Sequence, residues 1–365
     1  MESLNINQIT LAWLNSAKGI SRGKILKLLE YFGSVEELWD NFEGEKYNLS
    51  LRPETISYLS QSKNNFQEKL LERLRIEKAK LVTVFDEEYP KKLKEIDGPP
   101  YILYYKGSLE KINNISIAVV GSRKATAYGK WCAQKLTHEL AEIGVNIVSG
   151  LAVGIDSIAH KAALEAGANT YGVIGCGINV VYPKRNAEMY RQIIEKGGAV
   201  ISEYYFNIQP FAYNFHDRNR IISGLSEGVL VIEAQERSGT LITAGHAANQ
   251  GREIFAVPGN IDSLYSKATN GLIRDGAKLT ASIDDIVEEI LELKVRVRKQ
   301  NNIDYSKLSD NQKKIIACIK SGFSTIDELE QNTNIQTGEL LSQLTLLEMK
   351  GIITQTPNKF LLNRP

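Results

Sequence analysis

Ile117-Ala-Val-Val-Gly-Ser-Arg-Lys-Ala-Thr126 and Asn146-Ile-Val-Ser-Gly-Leu-Ala-Val-Gly-Ile-Asp156 are built alike: a short apolar run, then a glycine turn, then the opening of a helical pattern. The runs lack the polar alternation of a half-exposed strand, which is what a strand covered on both faces requires. Similar runs recur at Tyr171 to Ile174, Ala199 to Ile201, Val229 to Ile232 and Ile254 to Val257, each separated by helical stretches. Strands alternating with helices predict a mainly parallel α/β sheet with flanking helices over residues 115–291.

On the N-terminal side, apolar residues recur at helical spacing from Ile9 to about Leu74, giving a small helical domain over residues 1–75. Its turn Lys18-Gly19-Ile20-Ser21-Arg22-Gly23-Lys24 has the composition of a helix-hairpin-helix phosphate turn, although a simple joint between helices explains it as well. Residues 76–114, punctuated by Tyr89-Pro90, Pro99-Pro100 and Gly107, read as a connector into the core. On the C-terminal side, residues 292–304 show no sustained period and read as a linker. Residues 305–365 then carry three helical patterns, Asn311 to Lys320, Thr325 to Gln331 and Gly338 to Lys350, and a closing pair of apolar runs at Ile352 and Phe360, the order of a winged helix.

The chain has 365 residues, enough for more than one packed core, with 44 Lys and Arg against 43 Asp and Glu. A net charge of +1 excludes bulk electrostatic attraction to nucleic acid or membranes, so any anion site must come from local clustering. The core alone carries sixteen cations against eighteen anions, and the winged helix seven against six, which is thin for a reader of duplex DNA; the module suits contact with protein at least as well. Cys132, Cys176 and Cys318 are too few and too scattered for a disulfide framework, which predicts a cytoplasmic protein. The absence of an 18-residue apolar run or a basic-then-apolar leader argues against insertion in a membrane or secretion.

In an open parallel sheet, ligands bind beyond the carboxyl ends of the strands, so the residues after each run are the informative ones. Gly121, Ser122, Arg123 and Lys124 combine a turn, a hydroxyl and two cations suited to phosphate. Gly150 and Gly154 permit close backbone approach while Ser149 and Asp156 can bond neighbouring loops, Lys184 with Arg185 adds charge, and Ser238, Gly239 and Thr240 repeat the glycine-hydroxyl pattern, with Asn270 in a further polar loop. Phe215-His216-Asp217-Arg218-Asn219-Arg220 sets an aromatic beside two guanidiniums, a mixture that stacks a base while holding its backbone; taken alone, a core phenylalanine with paired arginines is the plainer explanation. Several anion-suited loops at one edge predict a basic cluster centred on Arg123, Arg218 and Arg220.

Other chemistries lack their motifs. The chain has no Walker A sequence, and Gly175-Cys176-Gly177 lacks the third glycine of a dinucleotide fingerprint, so no cofactor is expected. His138, His160, His216 and His246 have no metal-ligand spacing and there are no paired cysteines, so no metal is expected either. Asp156 and His160 stand four residues apart on one helix face, where a structural hydrogen bond explains them better than acid-base catalysis.

Taken together, Val119 to Thr126, Ser149 to Asp156 with Ala159-His160, Arg218 to Ser226, Ser238 to Leu241 and Pro258-Gly259 closely resemble the DNA-processing protein family DprA, also called Smf. Tyr31 to Ser34, Tyr89-Pro90 and Pro99-Pro100 extend the resemblance over nearly the whole chain. The resemblance implies a helical N-terminal domain of the SAM or helix-hairpin-helix kind, an extended Rossmann core and a winged-helix tail. It implies a homodimer that binds single-stranded DNA at the core, protects incoming DNA and loads the RecA recombinase onto it during natural transformation and recombination, with no catalytic residue. By motif, Gly121, Ser122 and Arg123 would hold phosphates, Phe215 would stack a base, and Arg218 and Arg220 would fix the backbone. His216 and Ala268 depart from the proline and glycine usual at those places.

The rival reading is an enzyme, a phosphoribohydrolase of nucleotides on a similar core, whose Gly-Thr-x-x-Glu motif supplies a catalytic acid. Here Gly239-Thr240-Leu241-Ile242 is followed by Thr243, and a hydroxyl cannot replace the ionisable partner. A third reading makes the winged helix a duplex-binding effector and the core a sensor of a small phosphorylated ligand.

Overall fold

The computed structural model describes residues 4–236, 238–301, 308–349, 352–356 and 359–362, and divides into two compact units, Met1–Ile286 and Val287–Pro365. The first unit is organised around a nine-stranded sheet. Its strands are β1 (Lys80–Thr83), β2 (Ile102–Gly107), β3 (Ser116–Val120), β4 (Asn146–Ser149), β5 (Thr170–Ile174), β6 (Ala199–Ser202), β7 (Gly228–Val231), β8 (Glu253–Ala256) and β9 (Lys278–Leu279), in the spatial order β1-β2-β6-β5-β4-β3-β7-β8-β9. From β6 to β9 every neighbouring pair is parallel, while β1 and β2 close one edge antiparallel. The mainly parallel α/β core expected from the apolar runs is therefore present, with β3, β4, β5 and β7 buried along their whole length.

Residues 76–114, read as a connector, contribute β1 and β2 to this sheet. β1 has only four residues, and β2 turns polar at its end, so neither stands out as a run. The helices Ile6–Ser16, Arg22–Phe32, Val35–Glu45, Pro53–Lys63 and Phe66–Glu77 form the N-terminal part. Their buried Leu11, Trp13, Leu38, Phe42, Leu59 and Leu70 belong to one apolar cluster with Tyr104, Leu151, Ile174, Val200 and Phe206, so these helices share a core with one face of the sheet. The turn at Lys18 to Lys24 is tied inward: Arg22 Nη1 donates to the Gly98 carbonyl at 2.7 Å and the Thr55 hydroxyl to the Lys18 carbonyl at 2.9 Å.

Chain order reverses at β3, from which β4, β5 and β6 run one way and β7, β8 and β9 the other. A sheet of this kind opens a crevice at the carboxyl ends of the strands flanking the reversal. That crevice is where the expected loops meet.

The second unit contains the helix Leu291–Asn301, where the sequence suggests a linker. Apolar residues there alternate with charged ones, which hides a helical face, yet Leu, Glu, Lys, Arg and Gln are all strong helix formers. The helices Asp310–Lys320, Ile326–Thr333 and Thr337–Met349 and the antiparallel pair β10 (Ile353–Thr356) and β11 (Lys359–Leu362) make the expected winged helix around Ile315, Leu329, Leu340, Leu344 and Phe360. No described helix is long and apolar enough to cross a membrane.

Candidate functional site

The crevice is a cleft of about 700 Å³ bordered by the loops after β3, β4 and β7, by Tyr182 and by the start of the helix Ala212–Gly224. Among the described residues its charged lining is Arg123, Lys124 and Arg218 against the single carboxylate Asp156. The local excess of cations required of an otherwise balanced chain is met here.

Two backbone approaches shape the floor. A side chain at Gly154, where φ is +84°, would place its Cβ 2.3 Å from the Ser122 carbonyl oxygen, so only glycine lets the loops after β3 and β4 touch. Ser122 N in turn donates to the Glu233 carbonyl at 2.8 Å, and Ile155 N to the Ser122 carbonyl at 3.2 Å. Gly121, Ser122, Arg123 and Lys124 thus lie on a loop held from both sides.

The helix beginning at Ala127 does not offer its N-terminus to a ligand. The Glu233 carboxylate, only 2% exposed at the end of β7, accepts from Thr126 N at 2.9 Å and from the Thr126 hydroxyl at 2.5 Å, while that hydroxyl accepts from Gly129 N at 3.1 Å. An internal anion already fills the place a phosphate would take. The helix Gly239–Asn249 presents the opposite case. Among the described residues, Ser238 at its N-cap makes no capping bond and its buried hydroxyl oxygen has no partner, and Gly239 leaves the approach open; Ser238, Gly239 and Thr240 all line the cleft.

Arg218 is 4% exposed and faces inward. Its Nη1 donates to the Gly150 carbonyl at 2.9 Å and to the Val173 carbonyl, and its Nε to Asn219 Oδ1 at 3.2 Å, so it links the ends of β4 and β5. Across Gly150 lies Asp156, whose Oδ2 accepts from Gly150 N at 3.2 Å and Ala152 N at 3.3 Å. Burial pushes the Arg218 pKa down, and burial pushes that of Asp156 up against the pull of the arginine. The half-buried Phe215 ring lies 5.8 Å from the guanidinium carbons of both Arg218 and the exposed Arg123, and 5.7 Å from the Tyr182 ring. An aromatic ring within reach of two guanidiniums, beside a second ring, is the composition that stacks a nucleobase and holds its phosphate.

Other expected positions lie elsewhere. Arg220 forms a buried ion pair with Glu203 at 2.5 Å and does not line the cleft, so the expected cluster keeps Arg123 and Arg218 without it. Ser149 is fully buried and donates to the Val119 carbonyl at 2.7 Å. Asn270 clamps the backbone of Gly259, donating to its carbonyl at 2.9 Å and accepting from its N–H at 3.2 Å. Lys184 is exposed in the short helical turn Lys184–Asn186, outside the lining. His160 does not bond Asp156; its Nδ1 meets the Thr170 hydroxyl at 2.7 Å, and burial pushes its pKa down to about 3. Tyr182, Tyr265 and Gln235 line the cleft without a sequence signal beyond the turn residues near them.

Residues 80–291 match the family model of the DNA recombination-mediator protein A, and residues 304–359 that of the DprA winged helix domain. The chain belongs to this family. It is similar to Protein Smf of Escherichia coli K12, 38% identical over 287 residues that cover 77% of this chain and 76% of that protein. It is also similar to DNA processing protein DprA of Streptococcus pneumoniae R6, 38% identical over 279 residues covering 74% and 94%. The X-ray structure of DprA from Streptococcus pneumoniae superposes with a TM-score of 0.61 at 37% identity over 79% of this chain and 99% of that one. A structure of DNA processing protein A from Helicobacter pylori, solved for its single-stranded DNA binding mode, gives 0.53 at 30% identity over 59% and 96%. The resemblance drawn from the loop motifs is thus a true family membership.

Proposed function

We propose that the cleft binds single-stranded DNA. The observation that carries this is the Phe215 ring with the guanidinium carbons of Arg123 and Arg218 each 5.8 Å from its centre, in a cleft whose charged lining is mostly cationic. A base stacks at Phe215 and Tyr182, while Arg123, Lys124 and the open N-terminus of the helix Gly239–Asn249 take phosphates. Gly121, Gly150 and Gly154 act by backbone shape, and Arg218 holds the floor. Recognition through stacking favours unpaired strands, whose bases are free to leave their neighbours.

The family and the single-strand study of the Helicobacter pylori relative support this reading. In it, the chain works as a homodimer that protects incoming DNA and delivers the covered strand to the RecA recombinase during transformation and recombination, without covalent chemistry. Thr243, 2% exposed in the cleft wall where the phosphoribohydrolase motif carries its acid, favours binding over hydrolysis.

Fluorescence anisotropy with labelled single-stranded and duplex oligonucleotides across a salt series tests the site. Single strands bind more tightly than duplex, and Arg123→Ala weakens binding and lowers the log-log salt slope by roughly 0.7. Equal affinity for both forms, or an Arg123→Ala protein that binds as the parent does, overturns the assignment.

A further inference from the structure

Beside the cleft, Phe211 and Tyr213 project into solvent, 50% and 64% exposed. Their rings are parallel within 4° and their centroids 5.7 Å apart. Two large rings held parallel in water at the first turn of a helix add nothing to a core. Pro210 and Ala212, which alternate with them along the chain, line the cleft, and Phe215 lies two residues beyond Tyr213. The stacked pair is therefore continuous with the cleft wall that holds the proposed base site.

We infer that Phe211 and Tyr213 form a second stacking platform, on which the strand leaving the cleft lays its next bases. The inference rests on the single-strand reading of the cleft and adds to it a direction in which the strand departs. Every base has a π-face, so such a platform accepts any sequence and requires the base to be unpaired. The surroundings fit that occupant: Gln209 and Asn207 are polar, the Gln209 side chain donates to the Asn207 carbonyl at 3.1 Å, and the exposed His216 follows one turn on. The platform predicts a length effect, because an oligonucleotide short enough to fill only the cleft cannot reach it.

The test compares the full chain with Phe211→Ala, Tyr213→Ala double and Tyr213→Phe single variants, using oligothymidylates of increasing length and one long strand carrying 2-aminopurine at successive positions. The double alanine variant binds long strands roughly five- to a hundredfold more weakly, the loss of one stacked base, and short strands as the parent does. Tyr213→Phe retains parental binding, and 2-aminopurine at one end of the strand is quenched by the parent but not by the double variant. If the parent binds single strands and Arg123→Ala weakens it while the double alanine variant changes nothing, the platform is wrong and the cleft reading stands. If the parent binds no single strand, both fall. A double variant with parental strand binding but an altered sedimentation coefficient assigns the rings to contact between copies and overturns the platform.

Discussion

Glu233 closes the helix that begins at Ala127: its carboxylate bonds Thr126 and fills the space beside Gly129, where a Cβ would stand 2.2 Å from the Glu233 carboxyl carbon. Glu233→Gln keeps the shape but removes the charge at the helix start and lowers stability by about 0.5–2 kcal/mol in urea unfolding. Gly129→Ala drives a methyl into the carboxylate and costs about 1–3 kcal/mol by the same measurement. A chain unaffected by both would show that the carboxylate does not serve as the cap.

Arg218 and Arg123 stand at similar distances from Phe215 but answer to different assays. Arg218→Ala removes the link between β4 and β5 and leaves Asp156 buried without its cation, so it destabilises by about 3–5 kcal/mol. Arg123 is exposed, so its alanine variant keeps the parental unfolding midpoint and loses affinity only. Variants of Arg218 are read first by urea unfolding, and only then for binding.

Gly154→Ala tests the contact between loops. Its backbone lies at φ +84° and ψ −128°, and a Cβ there meets the Ser122 and Arg123 carbonyl oxygens at 2.3 and 2.7 Å. The strain of about 1–3 kcal/mol, with the collision added, displaces the loop carrying Arg123. Single-strand affinity falls more than Arg123→Ala alone produces, measured by anisotropy.

His160 makes stability depend on pH in a defined direction. Its pKa is about 3 when folded, below the ordinary value of 6.5, so between these values the unfolded chain binds the extra proton. Its contribution is complete above pH 6.5 and declines as pH falls toward 3, by up to about 1.4 kcal/mol per pH unit. Burial also depresses the His246 pKa and acts in the same sense, while the raised pKa of Asp156 acts in the opposite one. His160→Asn flattens the slope in urea unfolding measured at several pH values; an unchanged slope would place the titration elsewhere.

In the winged helix, Thr337–Met349 is the helix that would enter a groove, yet it contains no Lys or Arg, carries Glu339 and Glu348, and exposes Leu341 and Met349. Such a face repels phosphate. Removing residues 305–365 is expected to leave single-strand affinity and duplex affinity unchanged in gel shift, and a loss of duplex binding would contradict this.

How much of this was legible follows from where each signal resides. The strands β3 to β7 were readable because burial on both faces demands unbroken apolar runs, whereas β1 is a short edge strand, β2 turns polar at Lys106 and Gly107, and β9 has two residues. The helix Leu291–Asn301 was hidden because its apolar residues alternate. The place of Gly121, Ser122 and Arg123 at the cleft was legible because a parallel sheet opens at the loops after its strands, while Phe215 reaches the same cleft from the helix Ala212–Gly224. The inward turn of Arg218 and Arg220 was not, since their partners lie at Gly150, Val173 and Glu203, far away in the chain. Glu233 escaped notice for the same reason: the helix it caps begins more than a hundred residues earlier.

The apolar cluster shared between the N-terminal helices and the sheet makes the boundary at Lys80 a poor place to cut. A shortened chain starting there would bare Ile102, Tyr104, Leu151, Ile174 and Val200 as an oily wall and strand Glu203 without Asn15 and Asn207 without Arg73. Helices and sheet should melt as one cooperative body, so the recombination-mediator core inherits its solubility from the segment in front of it.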